Sequence, residues 1–325
     1  MYRTMTKINI INNKTKPILA AVFVIGLLTL SPSIYSAYAQ TYVSQFGSTG
    51  SGNGQFSNPT GIAFDSSSDV WVVDQNNNRV EEFSASGTYT SQFGTSGSGN
   101  GQLDFPRGIA IDGSGNLWIT DTGNDRVEEF NVLGQYVSQF GSSGSSNGQL
   151  SSPNGIAIDS SGNIWVVDAG NNRVDKFSSS GTYLSQIGCS SGGCTIGSGN
   201  GQFHTPQGIA IDSSGNIWVA DSGNNRVEKF TSSGTYSSQF GTAGSGNGQF
   251  FGPQGISFDT FGNIYVTDAG NDRVEEFTSS GTYSSQFGTS GSGNGQFSSP
   301  HGIVLDSNNN VYVTDSGNDR VEEFS

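Results

Sequence analysis

One phrase is written six times along this chain, and the sixth copy stops short. It runs P-x-G-I-A-x-D, then G-N-x-W-V-x-D-x-G-N-x-R-V-E-x-F, then G-T-Y-x-S-Q-F-G. Its central glycine recurs at Gly61, Gly108, Gly155, Gly208, Gly255 and Gly302, in steps of 47, 47, 53, 47 and 47 residues. A period in this range restricts the chain to propellers and solenoids. One such unit cannot bury its own apolar faces and must stack on its neighbours. The last copy ends at Phe324-Ser325, before its Y-x-S-Q-F-G segment, and a spare copy of that segment, Tyr42 to Gly47, precedes the first repeat. A head that supplies what the tail lacks is the mark of a ring that closes on itself.

The copy from Pro153 reads as four strands. Gly155 to Asp159 is a short, mostly apolar strand, and Ser160-Ser161-Gly162-Asn163 is a turn with a glycine free to take positive φ. Ile164 to Asp168 is apolar on both faces, which suits a sheet sandwiched between others. Arg173 to Phe177 admits polar residues, and Tyr183 to Gly188 is the outermost strand. Hydrophobicity falls from the first strand to the fourth, as expected if the first lines an axis and the last meets water. The expectation is therefore all-β: a six-bladed β-propeller of four-stranded antiparallel blades. Its ring is closed by the N-terminal strand 42–47 joining the C-terminal blade, because an unclosed ring leaves open sheet edges. Trp71, Trp118, Trp165, Trp218, Tyr265 and Tyr312 share one position, and Phe83, Phe130, Phe177, Phe230, Phe277 and Phe324 another. Residues present in every blade are expected to pack between blades rather than stack on a sugar.

Residues 1–39 are a different text. Arg3, Lys7, Lys14 and Lys16 precede the 13-residue apolar run Ile18 to Leu30, and Ala37-Tyr38-Ala39 is a small-x-small site. That order is a secretory signal peptide. The run is short for a membrane span of about 20 residues, so an uncleaved anchor is the lesser alternative and no membrane insertion is expected after cleavage. Residues 40–325 are then one secreted domain. They hold nine Lys and Arg against 27 Asp and Glu, a net charge of −18. Nucleic-acid binding depends on neutralising phosphates with basic side chains, which excludes it as a function class here. The 48 Gly and 8 Pro among 325 residues stay below the roughly 25–30% of low-complexity chains, and the strict apolar period argues for a fold.

An Asp…Arg pair recurs in every blade, from Asp74/Arg79 to Asp315/Arg320. Six identical acid–base pairs make no chemical sense, so these are expected to brace the hairpin between second and third strands through charge-assisted hydrogen bonds. The Asp ending each first strand, such as Asp212, is expected to cap its own turn. Calcium takes 6–8 oxygen ligands, and no dense D-x-D-x-D-G loop appears, so neither a metal nor a cofactor is expected. Cys189 and Cys194 sit in the six-residue insertion of the long step. Export and an even count favour a disulfide there, which stiffens the insertion by about 2 kcal/mol without stapling the fold. Lys176 and Lys229 replace the third-strand acids of the other blades, which reads as a solvated, lopsided rim.

Ligand-specific residues should break the symmetry. The residue before each repeat glycine varies: Thr60, Arg107, Asn154, Gln207, Gln254 and His301. All six sit where the chain enters the innermost strand, so they are expected to ring one mouth of the central channel. Asp104, His204 and Phe251 break the pattern in the same entry loops. The plain alternative is drift of solvated loops. No nucleophile–base pair is named by the sequence, so no catalytic residue is.

At D-x-G-N-x-R-V the text becomes familiar. Pro206 to Asp212 and Gly215 to Val227 resemble NHL repeats, and the resemblance extends over all six copies. It implies a six-bladed propeller used mostly as a binding platform, with extracellular sensors and RNA-binding domains among its relatives. A minority are enzymes such as peptide-amidating lyases, whose site is metal-dependent and rich in His, and similar propellers carry lactonases. This chain lacks the basic face of the RNA binders and has only His204 and His301. It departs from the pattern at Asn76, where other copies have Gly and Asn can also take positive φ, and at Ser68-Asp69 in place of Gly-Asn, where a less regular turn is expected. The resulting expectation is a non-enzymatic module recognising an extracellular peptide, protein or glycan at the channel mouth. A lactonase-like or amidating-lyase-like hydrolase or lyase is the alternative, since fold alone does not choose.

Overall fold

The computed structural model describes residues 40–188 and 196–325; the signal-peptide reading of 1–39 and the Cys189–Cys194 pair lie outside these residues. β1 (Tyr42–Phe46) stands ahead of the first blade, which is β2 (Pro59–Phe64), β3 (Val70–Asp74), β4 (Arg79–Phe83) and β5 (Tyr89–Phe93). The second is β6 (Ile109–Ile111), β7 (Leu117–Asp121), β8 (Arg126–Phe130) and β9 (Tyr136–Phe140). The third is β10 (Pro153–Ile158), β11 (Ile164–Asp168), β12 (Arg173–Phe177) and β13 (Tyr183–Ile187). The fourth is β14 (Ile209–Ile211), β15 (Ile217–Asp221), β16 (Arg226–Phe230) and β17 (Tyr236–Phe240). The fifth is β18 (Pro253–Phe258), β19 (Ile264–Asp268), β20 (Arg273–Phe277) and β21 (Tyr283–Phe287). The sixth has β22 (Pro300–Leu305), β23 (Val311–Asp315) and β24 (Arg320–Phe324), and β1 is its fourth strand.

β1 takes the place of a covalently joined outer strand in register as well as position. It pairs antiparallel with β24 through Tyr42↔Phe324 and Phe46↔Val321, with a bulge between Tyr42 and Ser44. The fourth blade repeats this pairing and bulge with Phe230↔Tyr236 and Val227↔Phe240. Thr41 and Ser325 exchange backbone hydrogen bonds at 2.9 and 3.0 Å, and Arg320 Nη1 donates to Gln45 Oε1 at 2.8 Å. Phe46 then packs on Phe83 of the first blade, with ring centroids 4.7 Å apart.

The hydrophobic core is divided into six, each part lying between consecutive blades. Trp165, Val167 and Val174 of the third blade pack on Phe203, Ile217 and Phe230 of the fourth. Tyr312 and Val321 of the sixth pack on Phe56, Val72 and Phe83 of the first, so the last interface is built like the others. The repeated Trp, Tyr and Phe residues are all buried in these interfaces. The second strand, not the first, is the most deeply buried in each blade. The first strand also meets a blade on each face, Ile62 on one side and Ala63 on the other, but its free edge borders the channel, while the second strand is paired along both edges.

The repeat glycine is demanded by closeness rather than by torsion, since none of the six takes positive φ. A methyl built on Gly61 would lie 2.5 Å from the Arg107 carbonyl oxygen, and one on Gly155 2.6 Å from that of Gln207. The innermost strands converge on the axis too tightly for a Cβ. The glycines at the position of Asn76 are not in the left-handed region either, and a methyl on Gly223 would lie 2.6 Å from the His204 carbonyl oxygen; the first blade admits Asn76 there, its Nδ2 donating to Ser57 Oγ at 3.3 Å. Positive φ falls two residues later, at Asn78, Asp125, Asn172, Asn225, Asp272 and Asp319. Each of these accepts, on its side-chain oxygen, an N–H from the next blade's entry loop, as Asn225 does from Gly252 at 2.9 Å and Asp319 from Asn58 at 2.7 Å. Ser68 adopts φ 68° and so keeps the turn that Gly115 and Gly162 make elsewhere.

The Asp…Arg pairs brace, as their six-fold recurrence implies. In the fourth blade, Arg226 Nε donates to Asp221 Oδ2 at 2.8 Å, and its terminal nitrogens donate to the carbonyls of Ser198, Gly199 and Gln202 and to Gln239 Oε1. Asp221 Oδ1 accepts the His204 backbone N–H at 2.7 Å. One side chain thus ties the entry loop, the hairpin and the outer strand together. A second acid, Glu228, meets the same guanidinium at 3.1 Å. Two buried carboxyls share one cation, and burial pushes Glu81, Glu128, Asp175, Glu228, Glu275 and Glu322 up to about 7, with the adjacent arginine offsetting only part of that effect.

This sets the pH dependence of stability. The folded chain holds protons on these six groups that the unfolded chain has released above the ordinary carboxylate range. Their stabilising contribution is complete below the unfolded values and is lost as pH rises through about 7. We expect the melting temperature to be highest near pH 5 and to fall by about 5 °C or more toward pH 8.5 in calorimetry. Glu228→Gln should make the slope shallower. A melting temperature that is flat or rising across this window would refute the assignment.

Candidate functional site

Five of the six residues that precede the repeat glycines meet in one place. Arg107, Asn154, Gln207, Gln254 and His301 line a cavity of about 90 Å3 at the axis, together with the glycines and isoleucines that follow them. The inner strands supply this arrangement: each polar residue stands at the strand's entrance, each Gly lets the next blade close in, and each Ile borders the cavity while packing into the core between two blades. The result is a polar lip in a cavity whose apolar lining comes from Ile62, Ile109, Ile156, Ile209, Ile256 and Ile303. Thr60 is the exception to the expected ring. It is 1% exposed, its hydroxyl donates to the Arg107 carbonyl at 3.0 Å, and its own carbonyl accepts from Thr314 Oγ1 at 2.7 Å. Its side chain is spent on joining blades.

The lip is short of partners. Arg107 Nη1 donates to Gln207 Oε1 at 3.3 Å across the mouth. Arg107 Nε, Asn154 Oδ1, Gln254 Oε1 and His301 Nε2 are all buried with no hydrogen-bond partner. Leaving such atoms unmet is costly. None of the described residues that line the cavity carries a carboxylate. Burial alone pulls the Arg107 guanidinium below its ordinary value, and burial plus the nearby Arg107 charge holds His301 down at about 3. The lip therefore presents one cation, one neutral imidazole and three amides.

Asp104, His204 and Phe251 are not brought to the mouth. They occupy one equivalent entry-loop position, where the backbone N–H donates to the blade's bracing Asp (Asp121, Asp221 and Asp268) at 2.6 to 2.7 Å. Ser57, Ser151 and Ser298 do the same in the other blades, so the backbone role leaves the side chain free to vary. Phe251 is 62% exposed. A metal site of the His-rich kind fits poorly here, because the lip offers a single imidazole and a guanidinium beside it. Among the described residues one acidic cluster stands elsewhere, Asp65, Asp69 and Glu82 in the first blade. Asp69 takes the place of an asparagine that in other blades donates to the turn-capping Asp, as Asn216 does to Asp212 at 2.9 Å.

The turn-capping aspartates also do more than expected. Asp212 accepts the N–H groups of Ser214 and Asn216, and in addition the Trp218 indole N–H at 3.0 Å. Lys229 lies over that indole, 4.4 Å from the ring centroid, and 3.7 Å from Asp212. Lys176 does the same with Trp165 and Asp159. These lysines cover aromatic faces, and do not form a free solvated rim; their side chains are only 19 and 21% exposed.

A family model described as NHL repeat matches residues 56–83, 103–130, 150–177, 203–230 and 297–324. The fifth blade lies outside the matched spans, and Ser257 and Phe261 depart from the other copies there, yet it is built like its neighbours. No curated protein matches the sequence. Among solved structures, a virginiamycin B lyase from Staphylococcus aureus is similar with a TM-score of 0.57 at 16% identity, over 83% of this chain and 95% of that one. A gluconolactonase from Xanthomonas campestris gives 0.63 at 15%, over 90% and 98%. An auxiliary nutrient binding protein from Bacteroides thetaiotaomicron gives 0.63 at 15%, over 83% and 69%. At these identities the likeness is one of fold. With its repeats matching that family model and all six blades built on one plan, the chain belongs to the NHL-repeat six-bladed β-propellers.

Proposed function

We propose that this chain is an exported, non-enzymatic binding module that takes a group of a peptide, protein or glycan at the channel mouth. The observation that carries this is the lip itself: the positions that break the six-fold symmetry converge on one cavity and leave four buried polar atoms unmet. The bracing Asp, Asn and Arg side chains are by contrast engaged blade by blade, and the one unmet oxygen on each second brace acid, such as Glu228 Oε2, recurs in all six blades and so belongs to the repeat. Export is supported by the basic, apolar and small-residue order of residues 1–39. The enzyme alternative is supported by the fold likeness to a lyase and a gluconolactonase. Against it, His301 has an arginine beside it and no carboxylate to orient it as a base.

The test is capture of partners from extracellular material on the immobilised protein, beside an Arg107→Ala/Gln207→Ala/His301→Ala variant that melts at the same temperature. A partner held by the wild type and lost by the variant is the expected result. A partner held equally by both would move recognition to the blade rims. Turnover of a lactone or a peptidyl substrate, lost in the same variant, would replace the binding reading with the enzyme one.

A further inference from the structure

Residues 40–325 contain nine cationic side chains, and eight of them touch a carboxylate. Arg107 is the ninth. We propose that Arg107 anchors a carboxylate-binding site, and that the ligand of the channel mouth presents a carboxylate flanked by hydroxyl or amide N–H groups. This deepens the channel-mouth reading and rests on it.

The geometry of the guanidinium gives the first half of the proposal. Its Nη1 is used by Gln207, whereas Nε is buried and, among the described residues, neither Nε nor Nη2 has a hydrogen-bond partner. The Nε–Nη2 edge is one of the two forks by which arginine grips a carboxylate with parallel hydrogen bonds. Charge fixes the class further. One guanidinium and a neutral imidazole leave a single positive charge at the lip, which a monoanion balances. A phosphate dianion would leave a net negative charge in a half-buried site. The acidic surface of the protein opposes any anion from a distance, but physiological salt screens charges beyond about 8 Å. At contact, the unpaired guanidinium decides.

The neighbours give the second half. Asn154 is 5% exposed and its Oδ1 has no partner; Gln254 Oε1 is in the same position. These two carbonyl oxygens need donors, which a carboxylate does not supply. Hydroxyl or amide N–H groups next to it do. The cavity admits a head group and not a large ligand, so the rest of the ligand would lie outside the lip. Two sources share this chemistry: the carboxylate of an acidic sugar and the C-terminus of a peptide.

The experiment compares each acid with its neutral amide by titration calorimetry: glucuronate against glucuronamide, and N-acetylglycylglycine against N-acetylglycylglycinamide. At least one acid should bind the wild type about 10- to 100-fold more tightly than its amide, the range of hydrogen bonds to a charged group. The acid that binds identifies the source. Arg107→Ala should abolish the preference, Arg107→Lys should retain part of it, and Asn154→Ala should weaken acid and amide alike. Melting temperatures verify that each variant is folded. Equal binding of acid and amide, a preference that survives in Arg107→Ala, or no binding of either acid at millimolar concentration would overturn the proposal. In that event, a captured partner that depends on Gln207 and His301 but not on Arg107 would leave the channel-mouth reading standing. A partner indifferent to all three would end both.

Discussion

Deleting residues 40–47 is expected to turn a soluble ring into an aggregating one. The deletion removes β1, and with it the pairing partner of β24 from Phe324 to Val321. β24 would become an exposed edge, a template for association with other chains. It also removes Phe46 from Phe83, opening the interface between the sixth and first blades, and leaves Arg320 Nη1 without Gln45. Because each blade is stabilised by its neighbours, a loss at one interface is shared by the two blades that face it. Soluble yield, size-exclusion profile and melting temperature measure the outcome, with a drop of more than about 10 °C expected for any soluble fraction. Phe46→Ala, which keeps the strand, should cost about 2 kcal/mol. A deletion mutant as soluble and heat-stable as the wild type would remove the closing strand from the account of this fold.

Arg226→Ala should be the most damaging single change among the braces, at about 3–5 kcal/mol, because it leaves a buried carboxylate with no counter-charge. Asp221 is wholly buried, and three loop carbonyls lose their donor in the same step. Arg226→Lys should recover only part of this, since a point charge cannot serve Asp221, Glu228, Gln239 and the loop at once. Chemical denaturation of the two variants beside Glu129→Ala, an outer polar position expected within about 0.5 kcal/mol of wild type, provides the comparison. If Arg226→Ala unfolds at the wild-type midpoint, the braces are ornamental and the blades hold by apolar packing alone.

Much of this was legible in the text because repetition isolates function from structure. A residue present six times must serve the blade, and that logic correctly placed the tryptophans, the phenylalanines and the Asp…Arg pairs. It erred where one observation had two physical causes. Asn76 was assigned to a left-handed turn, but its glycine counterparts are small because the entry-loop backbone lies against them. Lys176 and Lys229 looked like surface charge, yet each covers a tryptophan face and meets a carboxylate. Asp104, His204 and Phe251 broke the pattern as the lip residues do, but what their position supplies in every blade is the backbone N–H to the bracing Asp.

The sequence by itself determined the number of blades, the order of strands within each and the strand that closes the ring. All of these follow from period and alternation, which are one-dimensional properties of a chain. Only the tertiary structure decided which polar groups are satisfied. Thr60 and Arg107 occupy the same place in the phrase, yet one hydroxyl is consumed by a neighbouring carbonyl and one guanidinium is left facing the channel. That difference depends on distances between residues about 50 to 250 positions apart in the chain, set by how six blades converge on an axis.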